Sequence, residues 1–542
     1  MHPVTLIPRH LTEKLASTLR TTRVINIVGP RQTGKTTLVR DMVEAARFLD
    51  LDDESLFASL ALDPYGQLST LSSETRQTGL PIVIDEVQRL PQITLALKRI
   101  VDRDRRAGQF VLTGSSNIFT LPRALDSLAG RVSTLTLRPL SAAEIRRAGP
   151  CRLLDVVAGE SSLSAKHLPA PAPFQRSDAI DLLVRGGFPE IRPLEDRERM
   201  ARYDSYVNSI VERDIAPVAE IRRPDTLRRM INQLAHRTAE ELNVTSLCSA
   251  LGARKETVNN YLDVLSRLGI VHRLGAWTAS GARKEVRSPK LHFMDTGCAT
   301  ALRGEDAASF GLRADPVALG HILESFVFCE LEKSLPFLKR RWDLYHWRYA
   351  PREIDIVAQA PGRMLVLFEM KASTSVDADD FRHLDWFLKE GPGKSYKGAA
   401  SVIYLGDQVL SFGPGRLALP LSILWSFSSS GATNARSKPH ADSGYGLSRR
   451  RRQRNPHGGS APGVRPCVSR IRRLARRPSR RRTWPRDRQA HHRAPRWPDF
   501  GRQRAGCRCA ILFRAAARQR TQGELRYRRH ERASAWRPVH RA

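Results

Sequence analysis

The sequence predicts an α/β protein of several domains: an α/β core opening on strand, loop and helix, then a winged helix-turn-helix, then a second α/β domain. Three stretches carry the prediction. "RVINIVG" followed by "PRQTGKTTLVRDMVEAA" reads as strand, glycine-rich loop and helix. "SLCSALGARKETVNNYLDVLSRLGIVHRL" reads as helix, glycine turn, helix and strand. "WDLYHWRYAPREIDIVAQ" and "MLVLFEMKAS" alternate as strands. A chain of 542 residues is too long for one hydrophobic core. The composition shifts divide it into a first α/β core (15–150), a connection rich in Ala, Pro and Ser (151–176), a helical region (177–237), the winged-helix-like region (238–300), the second α/β domain (301–427) and a basic tail (428–542).

In the first core, Gly29, Gly34, Lys35 and Thr36 fit the pattern GxxxxGK[ST], and the pattern sits where it must, between a strand and a helix. Such a loop closes its backbone N–H groups around a phosphate, helped by the positive end of the following helix. Residues Gly29, Pro30, Arg31, Gln32, Thr33, Gly34, Lys35, Thr36 and Thr37 are therefore the expected ATP-binding set. Lys35 is placed to reach the β- and γ-phosphates, and the Thr36 hydroxyl to ligate Mg²⁺.

Hydrolysis needs a second, acidic element, and "PIVIDEVQRLP" supplies it. Asp85 ends a buried strand and is expected to hold the Mg²⁺ shell; Glu86 is expected to orient and polarise the attacking water. The Asp-Glu pair marks water rather than an organic hydroxyl as acceptor, which argues against a kinase. A third strand, "QFVLTGSSN", ends in Ser115, Ser116 and Asn117, which stand where a γ-phosphate sensor is expected.

With these motifs in view, "GPRQTGKTTL", "IDEVQRLP", "LTGSSN", "SLAGRV" and "LRPLSAAE" resemble the bacterial AAA-type ATPases fused to a C-terminal domain of unknown function, over roughly residues 15–425. The resemblance implies a parallel sheet with an inserted strand, for which "AARFLDLDD" (Ala45 to Asp53) is the candidate. It also implies a phosphate-sensing or neighbour-contacting role for Arg131, the second of which would mean contact between copies of the chain.

In the middle of the chain, "DAIDLLVRGGFPEI" begins a helical region and "RYDSYVNSIVERDIAP" keeps an apolar stripe at helical spacing. Thr238 to Trp277 then read as a winged helix-turn-helix, with Arg254, Lys255, Thr257, Asn259 and Asn260 opening the helix that would face DNA. The competing reading is a packing or lid module, since few basic residues decorate that helix.

Further on, "LGHILESFVFCELEKSL" predicts an amphipathic helix carrying Glu324, "EIDIVA" a strand delivering Asp355, and "FEMK" a strand holding Glu369 and Lys371 on one face. That ordered set resembles the restriction-endonuclease-like core. The resemblance implies Mg²⁺ held by Asp355 and Glu369 with Glu324 as an accessory ligand, and Lys371 activating water. The alternative is a degenerate site kept as a buried ion-pair cluster.

The net charge of +34 looks like that of a nucleic-acid binder until it is divided. Residues 431–542 hold 32 Lys+Arg against 5 Asp+Glu, leaving 57 against 50 for the first 430 residues. Residues 441–542 contain 30 arginines and no lysine, a composition that predicts disorder. It fits either a basic arm for RNA or DNA or a non-native tail, such as an out-of-frame reading of GC-rich DNA. Seven scattered cysteines lack metal-ligand spacing. No apolar run reaches the roughly 18 residues of a membrane span, and "MHPVTLIPRH" lacks a secretory layout. A cytoplasmic location is expected. Two functions follow: an ATP-driven machine acting on DNA, or a nucleotide-dependent signalling or scaffold ATPase whose C-terminal domain is catalytically silent.

Overall fold

A computed structural model describes residues 6–114, 128–158, 168–215, 224–279, 288–311 and 316–428. Ser115, Ser116 and Asn117 lie outside the described residues, as does the arginine-rich stretch from 429 onwards.

Five strands, β1 (Val24–Val28), β2 (Arg47–Asp50), β3 (Ile82–Asp85), β4 (Phe110–Gly114) and β5 (Val132–Thr136), form a parallel sheet in the order β2-β3-β4-β1-β5. The three inner strands are apolar runs because helices cover both faces. Leu11 and Leu15 of the helix Leu11–Leu19 pack with Ile25, Ile27 and Leu38, while Leu97 and Val101 of the helix Ile93–Arg103 pack with Ile84 and Leu112 on the other face. The expectation for Ala45 to Asp53 is corrected here. Their strand, β2, lies at the edge, and the strand inserted between β1 and β3 is β4. Burial explains the order: every residue of "FVLTG" is buried, whereas "RFLD" is largely exposed or half-buried and can tolerate an edge.

A helical region follows, with helices Arg176–Arg185, Asp196–Ser209 and Pro224–His236. Next come β6 (Glu240–Glu241), helix Val244–Leu251, helix Lys255–Arg267, β7 (Val271–Leu274) and β8 (Lys290–Phe293), the strands pairing in the order β6-β8-β7. Asn243 caps the first of these two short helices by accepting from Ser246 N, and Gly252 ends it in the left-handed region. Val258, Leu262 and Leu265 of the second helix face the core, while Arg254, Lys255 and Asn260 are exposed.

The last sheet joins β9 (Asp343–Tyr349), β10 (Arg352–Ala360), β11 (Met364–Lys371), β12 (Lys397–Tyr404), β13 (Leu410–Ser411) and β14 (Arg416–Pro420) in the order β13-β14-β12-β11-β10-β9. Alternation assigns its faces: Val366 and Phe368 join the core of the helix Pro316–Ser334, Leu365 and Leu367 that of the helix Arg382–Lys389. Contrary to the expected amphipathic pattern, residues 322–331 of the helix Pro316–Ser334 are buried without a break, so no face of that stretch meets solvent. The β10–β9 register slips between Ile354 and Val357, a bulge that falls on Asp355.

Candidate functional site

The phosphate loop leaves the C-terminal end of β1. Gly29 has φ +153°, and a Cβ there would lie 2.0 Å from the Leu137 carbonyl oxygen, so only glycine fits beside β5. Gly34 caps the helix Lys35–Asp41 in the left-handed region, and Gln32 also has positive φ, which turns the loop back on itself. The Thr33 hydroxyl donates to the Pro30 carbonyl (2.9 Å). Lys35, nearly buried, donates to the carbonyls of Gly29 (3.0 Å) and Pro30 (2.8 Å), so its ammonium lies inside the curl of the loop. Arg31, Thr36 and Thr37 complete the segment at half-buried positions.

Asp85 ends β3, buried, and accepts from the Thr113 hydroxyl of β4 and from the Glu86 N–H (3.1 Å). Glu86 follows with φ +54°, half-buried, and accepts from Gln88 Nε2. Burial holds its pKa above the usual carboxylate range and Asp85 adds to this. Gln88, Lys35 and Arg31 oppose the shift without cancelling it. Loop, Asp85 and Glu86 therefore gather at one end of the sheet.

Arg131 does not join them. It precedes β5 at the opposite end of the sheet, where Val132 pairs with Val24, and its guanidinium holds both oxygens of Asp102 (2.5 and 3.0 Å). The five residues from Val24 to Val28 separate it from the loop, a rise of about 13 Å over four steps. A phosphate-sensing role within the same chain is thereby corrected.

Two features of this end were not anticipated. Thr113 is one: a buried hydroxyl one strand away from the acidic pair. The other is Arg9, whose guanidinium donates to the Thr33 carbonyl (2.7 Å), the Arg138 carbonyl (2.6 Å) and Glu144 Oε1 (3.2 Å). Glu144 also caps its own helix with Ser141, and "SAAE" is the visible signal of that capping box. Burial alone would raise the Glu144 pKa, but Arg9, His10 and two backbone N–H groups bring it below the usual range.

A second group of charged residues forms where β8, the helix Pro316–Ser334 and β10 meet. Lys290 of β8 lies 2.6 Å from Glu324 Oε1, 2.8 Å from Glu353 Oε1 and 3.5 Å from Asp355 Oδ1. Asp355 Oδ2 accepts from Met370 N–H (2.9 Å), beyond the last β10–β11 ladder pair, Ile356 with Phe368. Burial disfavours the Lys290 ammonium, but Glu324, Asp355 and Glu353 outweigh it and keep its pKa above the ordinary lysine value. Burial, then Asp355, pushes Glu369 well above the carboxylate range, and its Oε2 is buried without a hydrogen bond. Lys371 turns to Asp380 (3.0 Å). The expected ligands Glu324, Asp355 and Glu369 are thus brought near one another, but the first two converge on an ammonium. Among the described residues, no group of three or more His, Cys, Asp or Glu side chains could hold a metal ion. The Lys290 ammonium beside Glu324 and Asp355 is a feature the sequence reading did not anticipate.

An uncharacterized protein of Mycobacterium tuberculosis is 30% identical over 370 residues, covering 68% of this chain and 74% of the relative; its Mycobacterium bovis counterpart matches equally. The chain belongs to their family. An uncharacterized protein of Haemophilus influenzae is 24% identical over 416 residues, covering 71% of this chain and 93% of its own. Residues 21–146 match the family described as AAA domain, 176–309 a domain of unknown function (DUF8612), and 319–424 another (DUF4143). The AAA match contains the loop and the Asp85-Glu86 pair, so the N-terminal sheet is a P-loop ATPase domain. Similar solved structures include a Walker-type ATPase of Pyrococcus abyssi, with 14% identity, a TM-score of 0.34 and coverage of 55% of this chain and 96% of that one. Another is a signal-transduction ATPase with a tetratricopeptide repeat sensor from Pyrococcus horikoshii, with 13% identity, a TM-score of 0.22 and coverage of 60% and 48%. Among the described residues no helix is long and apolar enough to cross a membrane.

Proposed function

We propose that the chain binds Mg·ATP at residues 29–37, hydrolyses it, and uses the nucleotide cycle as a switch, with an endonuclease-like C-terminal domain that does not cut nucleic acid. The carrying observation is the meeting of Lys35, Asp85 and Glu86 at one end of the parallel sheet, with Gly29 leaving room for the loop. ATP and Mg²⁺ fit the residues present. The loop curls as a phosphate cradle does, with an ammonium inside it, and a buried carboxylate stands at the end of β3, across β4 from the loop's strand. Thr36 and Asp85 would hold Mg²⁺, which neutralises phosphate charge when bound. Glu86 orients the attacking water and takes its proton, and Thr113 fixes the Asp85 carboxylate through its hydroxyl.

The silent C-terminal domain is supported by Lys290 among Glu324, Glu353 and Asp355. The six-stranded sheet with helices on both faces and the order Glu324, Asp355, Glu369, Lys371 support the endonuclease-like reading of the fold alone.

A second reading, coupling to DNA, is favoured by one observation. A helix, a short strand, two helices and two strands follow in winged-helix order, with Arg254, Lys255 and Asn260 exposed at the start of the second short helix. Against it, the segment after β7 is sewn into the last sheet. Trp277 N–H donates to the His346 carbonyl (2.7 Å) and its indole N–H to Gln359 (2.7 Å). ATP turnover with and without duplex DNA, on protein truncated near Ser430, separates the readings. Turnover indifferent to DNA keeps the switch reading. Stimulation that Arg254→Ala and Lys255→Ala remove establishes the DNA coupling.

A further inference from the structure

The carboxylate set that the endonuclease-like resemblance implies for a divalent cation does not fit one here, and the misfit is informative. Lysine has three N–H donors and no acceptor. At Lys290 three carboxylates surround the ammonium: Glu324 at 2.6 Å, Glu353 at 2.8 Å and Asp355 at 3.5 Å. The side chain is only 3% exposed, and it comes from β8, whereas Asp355 and Glu353 come from β10 of another sheet. Mg²⁺ demands oxygens at about 2.0–2.1 Å in octahedral array, and Nζ takes up the space between the oxygens that would supply them. Glu353, which belongs to none of the expected metal ligands, is a partner that suits an ammonium. The remaining spacing works the same way: Asp355 spends its second oxygen on Met370 N–H, and Lys371 is engaged by Asp380.

We propose that Lys290 is a built-in substitute for the divalent ion, clamping the three-stranded sheet to the last sheet, so that the native protein takes no metal at Glu324, Asp355 and Glu369. This rests on the silent C-terminal reading above and extends it: the site is occupied from within the chain, not merely inactive. Removing the ammonium leaves carboxylates without a counter-charge and opens room for a cation. Lys290→Met, similar in shape and uncharged, is the variant that creates the metal site.

The test is Mn²⁺ binding by electron paramagnetic resonance on the full chain without nucleotide. Wild type and Asp355→Asn are expected to bind equal Mn²⁺. Lys290→Met is expected to gain one Mn²⁺ per chain, lost again in Lys290→Met/Asp355→Asn, while Lys290→Arg binds as wild type does. A Mn²⁺ that wild type holds and Asp355→Asn loses overturns the proposal; so does a folded Lys290→Met that gains none. If Lys290→Met does not fold, the wild-type and Asp355→Asn comparison still decides. Cleavage of DNA by wild type would end the silent reading itself. Mn²⁺ binding by wild type that depends on Asp355, without cleavage, would end only the substitution by Lys290. ATP turnover, read in parallel, reports separately on the ATPase.

Discussion

Gly269 rests against Pro30: a Cβ at Gly269 would lie 3.1 Å from Pro30 Cγ. The contact joins the turn that ends the helix Lys255–Arg267 to the phosphate loop. Lys35 bonds the Pro30 carbonyl, so any rearrangement of Lys35 toward a phosphate acts on the residue that the turn touches. This contact gives a direct route from the phosphate loop to the helix Lys255–Arg267.

Gly269→Val tests that route. Gly269 has φ +70°, a conformation that costs a branched residue on the order of 1–2 kcal/mol, and the added carbons press on Pro30. ATP affinity is expected to fall several-fold with the ATPase sheet intact, measured by fluorescent-nucleotide titration beside circular dichroism.

Arg9 and Glu144 form a buried pair linking the first helix, the phosphate loop and the end of β5. Breaking such a pair by removing one partner costs about 3–5 kcal/mol. Glu144→Ala should therefore lower the first thermal transition and weaken ATP binding together. The sign with pH follows from its lowered pKa: the contribution is present above the ordinary Glu value and lost as pH falls through the depressed one. Thermal scans of wild type and Glu144→Ala should thus converge in acid.

Arg131 holds Asp102 away from the loop. Arg131→Ala is expected to leave ATP affinity of the isolated chain unchanged. If its turnover falls only at protein concentrations where copies associate, the arginine serves a neighbouring subunit. Sedimentation alongside a turnover titration checks this.

Glu86 has a pKa raised chiefly by burial. Its protonated form, unable to take a proton from water, persists to higher pH than an ordinary carboxyl would. The acid limb of kcat should accordingly lie above the ordinary Glu range and vanish in Glu86→Gln.

What could be read from the sequence was local. "GPRQTGKTTL" and "PIVIDEVQRLP" announce themselves because glycine torsions, a lysine and two acids must fall at fixed spacing beside strands. The two short helices show their period, and Gly252 marks the turn between them. Pairing across the chain was not legible. Nothing in "RFLD" or "FVLTG" says which is edge and which is centre until neighbours bury them. Lys290, 34 positions from Glu324, carries no motif; only the closure of two sheets brings it to Asp355. Arg131 misled because its place opposite the loop follows only once β5 is known to run parallel to β1.

The most direct test of the central claim is steady-state Mg·ATP hydrolysis by wild type beside Glu86→Gln and Lys35→Ala. The account predicts turnover in wild type. Glu86→Gln should lose roughly 10²–10⁴-fold in kcat, as for a removed general base, while still binding ATP, and Lys35→Ala should lose binding. Wild type that binds ATP without hydrolysing it, or hydrolysis untouched by Glu86→Gln, would contradict the account.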